Sequence, residues 1–139
     1  MNIVFNNYFP FKGFKSICLW PWMFVRNDVG RFDELPCLNH EMIHAAQQVE
    51  LHIVGIVLTL FFLLTGYGWW SLLAAPLFFW WYGIEWAVRF AICRDRKAAY
   101  RGIVFEHEAY EHQYDTYYLD ARQPFAWVNY YLKKTSENG

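Results

Sequence analysis

Hydrophobic and polar positions fall along this chain in blocks, and the blocks predict its elements. Residues 1–26 are dense in aromatic and β-branched residues and are interrupted between Pro10 and Gly13. Such runs, divided by Pro and Gly, predict a β-hairpin with strands near residues 3–9 and 14–25 and a turn at 10–13. Pro21 has no N–H to give to a ladder, so it fits only an edge or a bulge of the second strand. An exposed edge strand would let an extended peptide add by main-chain hydrogen bonds. A hairpin that merely packs on the body is the equal alternative. Residues 26–36 are polar and turn-rich, hence a loop. Pro36 suits the first turn of a helix, with Asp33 or Glu34 near its positive end.

The helix expected at 36–66 changes character along its length. It carries His40, Glu41, His44, Gln47, Gln48 and Glu50, and then from Ile53 to Leu64 it holds one Thr and no charge. Gly66-Tyr67-Gly68 breaks it. A second apolar helix is expected at 69–93. Both runs are apolar on all faces, and a chain of 139 residues has too little other protein to bury them. They are therefore read as a membrane hairpin. Neither uncharged run reaches the ~20 residues of a full span, so shallow or tilted insertion is allowed. Trp69 and Trp70 at one end, and Trp80, Trp81 and Trp86 toward the other, resemble interfacial anchors. Glu85 and Arg89 are spaced for a helical ion pair. Arg94, Arg96, Lys97 and Arg101 flank the hairpin and predict that both termini lie on the cytoplasmic side. A polar-aromatic helix is expected at 98–120, a short amphipathic helix at 124–133, and a frayed tail at 135–139.

Composition sharpens this picture. One domain is expected from the length. Aromatics make up 22% of residues and charged residues only 18%, the latter below the usual share of about 25%. A net charge of −1 argues against nucleic acid as the main partner. Cys18, Cys37 and Cys93 are an odd set without paired spacing, hence reduced thiols. The N-terminus lacks a basic region followed by an apolar one, so no cleaved signal peptide is expected.

The candidate chemistry lies in Asn39-His40-Glu41-Met42-Ile43-His44, an H-E-x-x-H sequence. On a helix His40 and His44 share a face, their Cβ atoms about 5–6 Å apart, and both imidazoles can reach one Zn2+ at roughly 2.0–2.1 Å. Glu41 stands to one side, placed for a general base. A catalytic zinc also needs a third protein ligand. The pattern H-E-x-x-H-x-x-G-x-x-H is excluded, since Gln47 and Glu50 replace its Gly and third His. His52 lies about 12 Å farther along the helix, out of reach. The best candidates are in Phe105-Glu106-His107-Glu108-Ala109-Tyr110, which follows the hairpin and returns to the same side. Glu106 and Glu108 point roughly opposite ways on a helix, so one of them is expected to face the metal. Candidates beside the reacting carbonyl are His107, Tyr110, His112 and Tyr114. Asn39, Gln47, Glu85 or Glu108 could accept a hydrogen bond from a ligand histidine.

H-E-x-x-H followed at a distance by E-x-x-A resembles the gluzincin metallopeptidases, and more closely the HtpX and CAAX-protease type, in which membrane helices separate the two motifs. The resemblance covers residues 36–112. It implies an α+β chain, an N-terminal β-hairpin plus a helical zincin-like core, with the apolar hairpin between the two metal-binding helices. It further implies His40, His44 and Glu106 as zinc ligands, Glu108 being the alternative third ligand. Glu41 would be the base, and Ala109 the small residue that lets two helices approach. The acid of the family motif is replaced here by Tyr110. The expected activity is zinc-dependent hydrolysis of a peptide or protein substrate at the cytoplasmic face of a lipid membrane. A non-catalytic zinc-binding membrane protein is the alternative.

Overall fold

A computed structural model describes residues 1–11, 14–29 and 35–131. The chain is α+β, with a three-stranded N-terminal sheet and a helical body. The strands are β1 (Asn2–Asn6), β2 (Ser16–Leu19) and β3 (Trp22–Arg26), in the order β1-β3-β2. β3 pairs antiparallel with β2, Ser16 opposite Val25 and Leu19 opposite Trp22. It pairs parallel with β1, Asn2 opposite Trp22 and Asn6 opposite Arg26.

This corrects the single hairpin expected over residues 1–26. The stretch 14–25 is not one strand but two, folded back at Trp20-Pro21, where proline cannot continue a ladder. β2 and β3 then satisfy each other, and β1 takes the remaining edge of β3. Cys18, Met23 and Val25 are buried, as the period-2 alternation of a sheet with one face on the body requires.

α1 (Leu35–Leu64) is about 45 Å long. Its first half lies against β2 and the later helix α4. From Ile53 onward most of its apolar side chains face outward, Leu64 being 88% exposed, while Thr59 is buried. The helix closes with Tyr67 N–H donating to Phe62 O and Gly66 N–H to Leu63 O. Gly66, at φ +90°, supplies the left-handed residue of this closing motif.

The expected continuous helix at 69–93 is instead a 3-10 segment, Gly68–Ala74, followed by α2 (Leu77–Cys93). Pro76 separates them, since it offers no N–H and its ring crowds the preceding turn. The 3-10 segment runs back along α1 so closely that a Cβ on Gly55 would stand 2.5 Å from Ala74 O.

Asp95 then caps α3 (Arg96–Gly102), its carboxylate accepting from the N–H groups of Lys97 and Ala98, as N-cap aspartates do. The helix expected over 98–120 is divided as well. α3 ends at Gly102, Ile103 is extended at ψ 135°, and α4 (Val104–His112) begins anew. Glu85, which also accepts from Arg89 Nε at 2.8 Å, takes the Val104 N–H at 3.1 Å, one of the donors a helix start leaves unpaired. α5 (Tyr118–Ala121) follows. In the region expected as a helix at 124–133, the first turn, Ala126–Val128, is 3-10. The turn residues Lys12 and Gly13, the acids Asp33 and Glu34, and the tail from 132 lie outside the described residues.

The core is small: Leu51, Phe78, Ile103, Val104, Phe105 and Trp127, between α1, α2 and α4. Nothing in it reaches past Gly55. Among the described residues one helix, Pro36–Leu64, is long and apolar enough to cross a membrane.

Candidate metal centre

α1 and α4 bring three side chains to one point. His40 and His44 lie one turn apart, with their Nε2 atoms at 3.1 Å. Glu106, in the first turn of α4, places Oε1 3.2 Å from His44 Nε2 and Oε2 3.4 Å from His40 Nε2. One ligand atom from each lies within 4.8 Å of the others. Ala109, fully buried, offers no side chain beyond Cβ to hold α4 away from α1.

The residues fit a divalent cation, and Glu106 supplies the test. Its side chain is 2% exposed, yet Oε2 is buried without a hydrogen-bond partner. A buried carboxylate oxygen left unpaired is costly, and two imidazole nitrogens beside it complete a donor set suited to zinc. Burial opposes ionisation of Glu106, but the charges of the adjacent His44 and His40 outweigh it and hold the carboxyl well below the usual carboxylate range. Glu41 and Glu108 are buried as well.

The residues of the cluster are held from outside it. His44 Nδ1 lies 2.8 Å from Gln47 Oε1, and Gln47 Nε2 donates to Phe105 O at 3.1 Å and to Glu108 Oε2 at 3.0 Å. Glu108, the alternative ligand, is thus turned away from the histidines. It accepts from Tyr118 OH at 2.9 Å and from the Arg122 guanidinium, which also pairs with Glu50. Tyr82 OH donates to Glu106 Oε1 at 2.8 Å, and the Tyr110 ring packs edge-on to His40, centroids 4.7 Å apart. Burial, and then the Glu106 charge, raise the Tyr100 phenol far above its ordinary range.

Glu41 projects toward the sheet and stays outside the three-residue cluster. Ser16 Oγ donates to its Oε1 at 2.6 Å. Of the candidates for the reacting carbonyl, Tyr110 touches a residue of the cluster, His40. His112 stacks on Tyr118 and contacts Tyr130 OH, and Tyr114 is solvent-exposed. Asn39 donates to the carbonyls of His112, Gln113 and Asp115, tying the end of α4 to the start of α1. Glu85 belongs to the Arg89 pair and His52 to the Gln48 carbonyl. Of the edges that an extended peptide could join, the one at β2 is partly closed, because Gln48 takes both Cys18 O and Trp20 N–H.

Ser16, Tyr82, Tyr100 and Arg122 were not legible as site residues. Tyr82 sits in a run read as lipid-facing. Arg122 did carry a signal, being the only Lys or Arg between Arg101 and Lys133 in a segment that returns to buried acids.

No protein-family model, curated protein or solved structure matches this chain. The functional reading rests on its own residues.

Proposed function

We propose that this protein is a zinc-dependent membrane metallopeptidase with a gluzincin-like core, its site at the cytoplasmic surface of the bilayer. The observation that carries the reading is the convergence of His40, His44 and Glu106, from two helices separated by an apolar hairpin, around an unpaired Glu106 oxygen. These three side chains would hold the ion. Zinc bound there supplies Lewis acidity, polarising a peptide carbonyl and lowering the pKa of a water molecule.

The remaining chemistry belongs to the chain. Glu41, one position after His40, takes a proton from the attacking water and delivers it to the leaving amine. Ser16 holds its carboxylate through Oε1, which orients the base from β2. Tyr82 fixes Glu106 from the α2 side. Support for the membrane part comes from the outward apolar side chains of α1 beyond Ile53 and of the returning 3-10 segment at Trp69, Trp70, Leu72 and Leu73. The core has nothing to cover them, and lipid does.

The test is metal content and peptide cleavage by protein purified in detergent, beside Glu41→Gln and His40→Ala. Wild-type protein should carry one zinc, and His40→Ala should lose it. Glu41→Gln should keep the zinc and lose cleavage by about 10²–10⁴-fold, the range for a general base. Cleavage undiminished in Glu41→Gln would overturn the enzyme reading and leave a zinc-binding membrane protein. Wild-type protein without zinc would end both.

A further inference from the structure

The sheet carries an aromatic surface that the metal centre does not use. Trp20 and Trp22, on either side of the β2–β3 turn, are 50% and 49% exposed. Large aromatic rings left half in solvent on a small domain mark a contact surface. Their height along the molecule is fixed. Trp20 N–H donates to Gln48 Oε1 at 2.9 Å, and Gln48 Nε2 donates to Cys18 O at 2.7 Å. The turn is thereby pinned beside Gln48, about one and a half helical turns before Ile53, where the outward apolar stretch begins.

A second set of rings marks the same height on α2. His52 meets Phe79 edge-on, centroids 6.1 Å apart, so Trp80 and Trp81, both exposed, follow at that level. The other end of α1 carries its own set, Tyr67 with the stacked pair Trp69 and Trp70, all exposed. From Gln48 to Leu64 the helix rises about 24 Å, close to the ~30 Å hydrocarbon thickness of a bilayer. Two aromatic levels separated by that distance, with uncharged apolar surface between them, match the two interfacial belts of a membrane protein. There the flat ring lies among acyl chains and the indole N–H reaches the headgroups.

From this we infer that the β2–β3 turn is a second membrane contact, with Trp20 and Trp22 seated in the headgroup layer of the near leaflet beside the metal centre. The inference rests on the membrane reading of the α1–α2 hairpin. The sheet then lies on the bilayer, and Ser16, four residues from Trp20 and bonded to Glu41, is held at a set height above the lipid.

The test places a benzoylphenylalanine photocrosslinker at one position at a time, in place of Trp20, Trp22, Trp69 or Trp70. The full chain is reconstituted in palmitoyl-oleoyl phosphatidylcholine bilayers, irradiated and analysed by mass. An aromatic residue replaces an aromatic one, so the fold is preserved. Phosphatidylcholine adducts at 20 and 22 as well as at 69 and 70 are the expected result. Adducts at 69 and 70 but none at 20 and 22 would overturn this inference and leave the membrane hairpin standing. Crosslinks from 20 or 22 to a second copy of the chain would overturn it in favour of self-association. Adducts at none of the four positions would remove the membrane reading itself, and this inference with it.

Discussion

Gln47 Nε2 donates to Glu108 Oε2 over 3.0 Å, and that contact decides the tautomer of His44. A carboxylate and the Phe105 carbonyl accept only, so the amide nitrogen of Gln47 must face α4. Its oxygen therefore faces His44 Nδ1, which must carry the proton. Nε2, which faces His40 and Glu106, is thus the ring nitrogen free to give its proton up to a metal. Outer partners of ligand histidines commonly set metal affinity by 10–100-fold. Gln47→Leu is expected to weaken zinc binding by about that factor, read by competition with a fluorescent chelator. Unchanged affinity would show that His44 needs no such partner.

Glu106 and Glu108 are expected to fail in different ways. Glu106→Ala removes a ligand, and zinc should fall below stoichiometric content while the protein stays folded. Glu108→Ala keeps all three ligands but leaves Arg122, 5% exposed, with Glu50 alone. Breaking a buried pair on one side costs about 3–5 kcal/mol, so the loss should appear in thermal unfolding. Stable Glu108→Ala protein lacking zinc would instead mark Glu108 as the ligand.

Gly55 lies where α1 and the returning 3-10 segment touch backbone to backbone. Gly55→Ala would gain helix propensity by about 1 kcal/mol, yet its Cβ would meet two carbonyl oxygens that no rotamer change can move. Overpacking costs about 1–3 kcal/mol, so a net destabilisation of up to about 2 kcal/mol is expected, measured by thermal unfolding in detergent. A stabilised Gly55→Ala protein would mean that the hairpin is looser than described.

Cys18 and Cys93 should differ in alkylation. Burial, and then the charge of Glu41, push the Cys18 thiol up to about 12, so at pH 8 it is almost wholly the unreactive thiol, whereas Cys93 is exposed. Only the thiolate attacks. Iodoacetamide at pH 8 is expected to label Cys93 and spare Cys18, read by peptide mass mapping. Raising the pH toward 12 should bring Cys18 into reaction.

Much of this arrangement is legible along the chain because it depends on local spacing. One helical turn separates His40 from His44, so any helix there puts the two imidazoles together. Gly66-Tyr67-Gly68 ends α1 because a left-handed residue is needed at its close. The sheet departs from its expectation for the opposite reason. Composition predicts extended chain at 3–9 and 14–25, but pairing depends on which edges are free once the chain has turned at Trp20-Pro21. That is settled between residues far apart in sequence. The division of the expected helix at Ile103 is likewise tertiary, since Glu85 on α2 accepts the Val104 N–H that a continuous helix would have used internally.

For the metal centre the boundary is equally definite. The sequence alone determined two histidines one helical turn apart, an adjacent carboxylate, and an acidic segment after an apolar stretch, because these follow from helical period and hydropathy. Whether Glu106 or Glu108 meets the histidines depends on how α4 is rotated against α1. The buried contacts of Gln47, Tyr118 and Arg122 with Glu108, and of Tyr82 with Glu106, accompany one rotation. Those contacts join residues from 10 to 61 positions apart, and no periodicity within a single segment encodes them. Only packing, which charges an unpaired buried carboxylate its full desolvation cost, made that choice.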